Sequence, residues 1–147
     1  MNLLITGGCG FIGSNFINYI FDKIENINII NIDVLYYCAN EENVRKEIRI
    51  SKKYKFIKGN IGNEALVNYI LNTNKIDFVI NFAAQSHVCN SFSNPIQYTK
   101  DNVLGTHILL DCCFKYNLKT DNIKKFIHIS TDEVYGESDL GEEKKME

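Results

Sequence analysis

A short apolar run, Leu3-Leu4-Ile5, enters a glycine-rich turn, Gly7-Gly8-Cys9-Gly10-Phe11-Ile12-Gly13, which opens directly into an amphipathic stretch. Few folds accommodate that order. A strand, a tight turn and a helix bring the unpaired N–H groups of a helix start up to an anion, with the positive end of the helix dipole behind them. Gly7 permits the turn, Gly10 leaves room where a Cβ would block a phosphate, and Gly13 lets the helix lie close on the sheet. Glycine triplets are common, so the turn alone does not decide. Asp33 narrows it, standing twenty residues after Gly13 at the end of a second apolar run, Ile27-Asn28-Ile29-Ile30-Asn31-Ile32. An acid at that distance meets the ribose hydroxyls of a bound dinucleotide. It also selects NAD over NADP, because Val34-Leu35-Tyr36-Tyr37 brings no cation to offset a 2′-phosphate.

The rest of the chain repeats the alternation. Strands are predicted over 2–6, 27–33, 54–59, 77–82 and 125–130. Helices are predicted over 11–23, 64–71 and 95–116, the last capped by Asn94 with Pro95 in its first position. Such alternation reads as α/β, a Rossmann-like, doubly wound parallel sheet with helices on both faces. At 147 residues the chain makes one domain. Only the Glu- and Lys-rich tail from Glu137 reads as unstructured.

Charge and cysteines exclude several classes. A net charge of −2 with scattered Lys and Arg leaves no basic stripe for nucleic acid. No apolar run is long enough to cross a bilayer, and the first residues lack the zones of a signal peptide, so a cytoplasmic protein is expected. The five cysteines form no Cys-x-x-Cys pair, and adjacent Cys112 and Cys113 point about 100° apart on a helix. Buried free thiols and no metal site are the expectation.

In a sheet of this kind, ligands bind beyond the carboxyl ends of the strands. Besides the glycine turn and Asp33, that edge receives Ala83-Ala84-Gln85-Ser86-His87 and Thr131-Asp132-Glu133. Ala83 and Ala84 suit either a cofactor passing close over the strand end or plain tight packing. Asp132 and Glu133, two adjacent carboxyls directly after what reads as a buried strand, suit a general acid and base. One carboxyl is then held protonated beside its ionised neighbour. They also suit a solvated acidic loop.

Three strings resemble the nucleotide-sugar 4,6-dehydratases of the extended short-chain dehydrogenase/reductase family. They are Thr6-Gly7-Gly8-Cys9-Gly10-Phe11-Ile12-Gly13-Ser14, Phe82-Ala83-Ala84-Gln85-Ser86-His87-Val88 and Ile129-Ser130-Thr131-Asp132-Glu133-Val134-Tyr135-Gly136. Tyr37-Cys38-Ala39-Asn40 and Asn102-Val103-Leu104-Gly105-Thr106-His107 fit as well, and lean toward the UDP-glucose enzymes of rhamnose synthesis. The Thr-Asp-Glu triplet is the specific part, since related epimerases carry small residues there. The resemblance implies that NAD accepts hydride from C4 of a nucleotide-linked hexose and returns it to C6. It makes Glu133 the base at C5, Asp132 the acid at the C6 hydroxyl, and Thr131 and Ser86 the holders of the substrate. Phe11 and Ile12 would meet the pyrophosphate through backbone N–H groups, and Asn60 and Ile61 the adenine; Asp101 is placed with the cofactor. Asn60, Asp101 and Cys89-Asn90 depart from the residues common in the family.

The resemblance also calls for a Tyr-x-x-x-Lys pair on the helix after the triplet. Tyr19/Lys23 and Tyr54/Lys58 match the spacing but fall on a helix and a strand at the wrong places. The sequence therefore reads as the N-terminal portion of such an enzyme, without the Tyr-Lys helix and the substrate domain, and inactive alone. A related epimerase and a non-catalytic NAD-binding module are the alternatives. Val103, Leu104, Ile108, Leu109 and Cys112 on the 95–116 helix exceed what one sheet face needs. An exposed apolar patch is expected there, and a homodimer in the full-length protein.

Overall fold

The computed structural model describes residues 1–136, with Asp132 and Glu133 described by their backbone only. The tail from Glu137 lies outside the described residues. Five parallel strands form one sheet in the order β3-β2-β1-β4-β5. They are β1 (Asn2–Thr6), β2 (Asn28–Asp33), β3 (Tyr54–Lys58), β4 (Phe78–Asn81) and β5 (Lys125–His128). The order reverses beside β1, whose neighbours are β2 and β4, with Leu4 level with Ile30 on one side and Val79 on the other. That reversal is the switch point, and all five carboxyl ends share one edge of the sheet.

Alternation along the strands sends side chains to two cores. Leu4, Ile30, Ile32 and Val79 pack under α3 (Glu64–Asn74) and α6 (Thr106–Thr120), against Val67, Ile70, Leu71, Leu109, Cys112 and Cys113. Leu3, Ile5, Ile29 and Ile80 pack on the opposite face against Ile17 and Ile20 of α1 (Phe11–Lys23) and Ile48 of α2 (Lys46–Arg49). The sequence expectation of a doubly wound parallel sheet holds. Asn63 caps α3 by accepting the Leu66 N–H, and the helix runs to Asn74, three residues beyond the predicted 71, where left-handed Lys75 ends it.

Four expectations need correction. The 95–116 helix is continuous but changes its winding and runs on to Thr120: α5 (Pro95–Tyr98), a π turn (Thr99–Gly105) and α6 follow one another without a gap. Asn94 makes no side-chain cap bond; at φ −143° and ψ 55° it joins α5 to a short preceding helix, α4 (Val88–Ser93), that no apolar period announced. Of the five cysteines, Cys38 and Cys89 are exposed rather than buried. The fifth strand is not buried either. β5 is the sheet's edge, with Lys125, Ile127 and His128 exposed and Phe126 half-buried, because it pairs with β4 alone.

Candidate functional site

The glycine turn is held from beneath by β2. Asn31 Oδ1 accepts the Gly8 N–H at 3.1 Å, and Asp33 Oδ2 accepts the Cys9 N–H at 2.9 Å. Gly7 (φ 66°) donates its N–H to the Ile32 carbonyl, and Gly10 donates back to the Gly7 carbonyl. These amides are spent within the protein. Phe11, Ile12 and Gly13, the first three residues of α1, have no carbonyl four residues back within the helix. The first intrahelical bond starts at Ser14, whose N–H reaches the Gly10 carbonyl. Phe11 and Ile12 are 82% and 61% exposed, so two large apolar side chains stand open to solvent at the helix start.

Whether the turn fits a pyrophosphate is a steric question, and the three glycines answer it differently. A Cβ on Gly7 would lie 2.7 Å from the Ala83 backbone, and one on Gly13 2.4 Å from the Gly7 carbonyl oxygen. Those two glycines serve packing. A Cβ on Gly10 would meet only the Gly7 carbonyl oxygen, at 3.3 Å, so it would point into the space above the turn. An anion there would meet the helix start without obstruction.

Asp33 is buried. Its Oδ1 accepts the Leu35 N–H at 2.8 Å, and Leu35 itself takes a left-handed φ of 58°. With one backbone donor on each oxygen, a carboxylate keeps about two further acceptor sites for hydroxyls. Beneath lies a buried polar cluster that sequence reasoning passed over. Asn31 Nδ2 donates to Tyr54 Oη at 2.8 Å and approaches Cys9 Sγ at 3.4 Å. Burial pushes both the Cys9 thiol and the Tyr54 phenol up to about 12, so neither is a nucleophile or base at neutral pH. A signal for Asn31 was present: an amide inside an apolar strand, two residues before Asp33 and therefore on the same face.

At the β4 end, Thr6 donates its hydroxyl to Asn81 Oδ1 and accepts the Ala83 N–H at 3.2 Å. Asn81, fully buried, also reaches Thr106 and His128, which ties β1, β4, β5 and α6 together below the site. Ala83 packs under Gly7, while Ala84 and Ser86 are exposed. Gln85 is clamped by Asn102, which accepts its N–H at 2.7 Å and donates to its carbonyl at 2.9 Å. Asn60 accepts the Gly62 N–H at 2.7 Å and donates to Asp101 at 3.2 Å, and Ile61 is buried beside them.

Thr131 is exposed just past β5, and Asp132 and Glu133 open a single 3₁₀ turn, Asp132–Tyr135, at the same sheet edge. Their carboxyl groups fall outside the described atoms. Neither Tyr/Lys pair of matching spacing gathers at this edge: Lys58 ends β3 there, but Tyr54 starts the same strand at its far end. Tyr19 lies mid-way along α1 with the Lys23 ammonium 5.7 Å from its ring, and the Tyr54 hydroxyl faces Asn31. Among the described residues, no helix is long and apolar enough to cross a membrane, and no three His, Cys, Asp or Glu side chains gather as a metal would need.

A parallel sheet with a glycine turn at its switch point and an acid ending β2 defines a Rossmann-type dinucleotide-binding fold. Within that class, the chain belongs to the GDP-mannose 4,6 dehydratase family, whose model matches residues 4–147. It is 49% identical over 137 residues to a dTDP-D-glucose 4,6-dehydratase of Dictyostelium discoideum, covering 91% of this chain and 30% of that protein. It is 46% identical over 138 residues to the trifunctional UDP-glucose 4,6-dehydratase/UDP-4-keto-6-deoxy-D-glucose 3,5-epimerase/UDP-4-keto-L-rhamnose-reductase of Arabidopsis thaliana, covering 94% of this chain and 20% of that one. Among solved structures, the dTDP-glucose 4,6-dehydratase of Bacillus anthracis in complex with NAD superimposes with a TM-score of 0.81 at 40% identity, over 95% of this chain and 40% of that one. The chain thus spans less than half the length of these relatives.

Proposed function

We propose that these 147 residues form the NAD-binding portion of an enzyme that dehydrates a dTDP- or UDP-linked glucose to the 4-keto-6-deoxy sugar. One observation carries the reading. The glycine turn, Asp33, the 83–86 segment and the Thr131-Asp132-Glu133 turn all leave parallel strands at one edge, where cofactor and substrate must meet. The names of the relatives supply the substrate class.

On this reading the pyrophosphate sits over Gly7, Gly10 and Gly13 against the Phe11 and Ile12 N–H groups. Asp33 takes the ribose hydroxyls, Asn60 and Ile61 border the adenine, and Ala83 and Ala84 let the nicotinamide end pass. When bound, NAD supplies the acceptor for hydride from C4 and its return to C6. The chain's own residues handle the protons between those events. Ser86 and Thr131 hold the hexose. Glu133 removes the C5 proton, made acidic by the C4 ketone, and Asp132 protonates the departing C6 hydroxyl so that water leaves. On this reading the 147 residues alone bind cofactor without turnover.

The protein is cytosolic on this account and has no nucleic-acid or membrane partner. It pairs with a second copy through α6 and the π turn before it, by a stripe that overlaps in part the one the sequence suggested. Leu109 and Cys112 are in the core and Ile108 is half-buried, whereas the expected Val103 and Leu104 are exposed, together with Leu110, Phe114 and Leu118.

The test of function is Glu133→Gln in the full-length polypeptide, with dTDP-glucose or UDP-glucose as substrate. A single turnover should still reduce NAD but stall before water leaves, with C5 exchange into solvent slowed about 10²–10⁴-fold. Exchange at the parent rate would remove Glu133 as the base. Equal ease of C4 epimerisation and dehydration in the parent would point to an epimerase instead.

A further inference from the structure

Asp101 lies on the π turn, and four donors converge on its carboxylate. Asn60 Nδ2 at 3.2 Å and Tyr36 Oη at 3.4 Å donate to Oδ1. Gln85 Nε2 at 2.9 Å and Gln97 Nε2 at 3.0 Å donate to Oδ2. An ionised carboxylate offers about four lone-pair sites, so the set is full. Burial alone would push this carboxyl up; the four hydrogen bonds outweigh it and hold it below the usual carboxylate value.

The origin of the donors matters more than their number. Tyr36 follows β2, Asn60 follows β3, Gln85 follows β4, and Gln97 belongs to α5. Three strand-end loops are therefore fastened to one turn of helix. The wider spacing of the π turn brings the next residue, Asn102, onto the same loop, where it grips the Gln85 backbone at both its N–H and its carbonyl. The same side chains separate two hollows at this edge. One, of about 540 Å³, is lined by Tyr36, Gln85 and Gln97, and the other, of about 350 Å³, by Asn60, Gln97 and Asp101.

We propose that Asp101 is a positioning residue of the nucleotide groove: its carboxylate sets the spacing between Asn60, at the adenosine end, and Gln85-Ser86, at the substrate end. It acts through the donors it holds, since no acceptor site remains for the cofactor itself. The proposal rests on the reading that this groove takes NAD. An uncharged isostere replaces it only if the Gln85 and Gln97 amides both turn over, and then without the charge that strengthens all four bonds. An amide in its place would keep one acceptor oxygen and aim its own N–H groups at two other donors.

NADH fluorescence titration and urea unfolding of the parent, Asp101→Asn, Gln85→Glu and the double variant provide the test. Asp101→Asn should weaken NADH about 10- to 100-fold, as loss of a hydrogen bond to a charged group does. Gln85→Glu sets two carboxylates face to face and should weaken it comparably. The double variant again opposes a donor to an acceptor, with the Gln97 amide turned over, and should recover to within about threefold of the parent. Additive losses, or parent affinity in either single variant, would overturn the positioning role. If Asp101→Asn fails to fold, the comparison of Gln85→Glu with the double variant still decides, recovery supporting the role and its lack refuting it. A parent that binds no NADH removes the functional reading itself, and this proposal with it, before any variant is made.

Discussion

Gly10→Ala should separate folding from cofactor binding. Gly10 has φ −75° and ψ 174°, extended backbone that alanine adopts freely. Its new methyl would touch one atom, the Gly7 carbonyl oxygen at 3.3 Å, which a shift of a few tenths of an ångström relieves. Two small terms then oppose each other. Fewer unfolded conformations stabilise the variant by about 0.4–1 kcal/mol. The close contact and alanine's weakness as an N-cap cost about as much. Net stability should stay within about 0.5 kcal/mol of the parent. The methyl nevertheless occupies the approach to the helix start, and a phosphate displaced by it loses about 1–3 kcal/mol, or about 5- to 150-fold in affinity. Gly13→Ala is the control. Its methyl would lie 2.4 Å from the Gly7 oxygen and 2.8 Å from the Gly8 Cα, both backbone, so the turn or the helix must move. That variant should lose stability as well as binding. Urea unfolding gives the first quantity and NADH titration the second. Parent-like NADH affinity in Gly10→Ala would refute the assignment of the turn, and so would a loss of stability as large as that of Gly13→Ala.

Asn31→Leu should cost about 2–4 kcal/mol by urea unfolding, since it keeps the volume but orphans the buried Gly8 N–H and the Tyr54 hydroxyl; parent-like stability would show the cluster to be incidental. Stability should also fall in alkali. The Cys9 thiol and Tyr54 phenol bind protons more tightly folded, near 12, than their ordinary values of 9.0 and 10.0, so the unfolded state ionises first. Their contribution is intact below about pH 9 and drains away as pH rises toward 12, and Tyr54→Phe should flatten the upper part of that slope.

The parts legible in the sequence are those in which local chemistry and tertiary role coincide. β1 and α1 run as predicted, because the glycine turn both ends the strand and starts the helix. β2 was visible as an apolar run because both of its faces are buried, and the same apolarity hid Asn31 within it. The π turn within the long helix was not legible, since what accompanies it is Asp101 and Asn102 reaching Gln85, seventeen residues earlier in sequence for Asn102. α4 escaped for a simpler reason: none of its residues is buried, so it has no apolar period to read. β5 read as buried on composition and lies at an edge, because strand order is a property of the sheet and not of the strand. The same limit applied to Asp101. The family resemblance placed its position with the cofactor, whereas its four partners come from segments brought together only by the fold.

The central claim is that this edge of the sheet is built for NAD. Calorimetric titration of the 147-residue chain with NAD and, separately, NADP tests it most directly. One NAD should bind per chain, with NADP about 100-fold weaker, because Asp33 would face the 2′-phosphate and the following Val34-Leu35-Tyr36-Tyr37 brings no cation. Comparable affinities for the two would contradict the role of Asp33, and the absence of NAD binding by the folded chain would contradict the account as a whole.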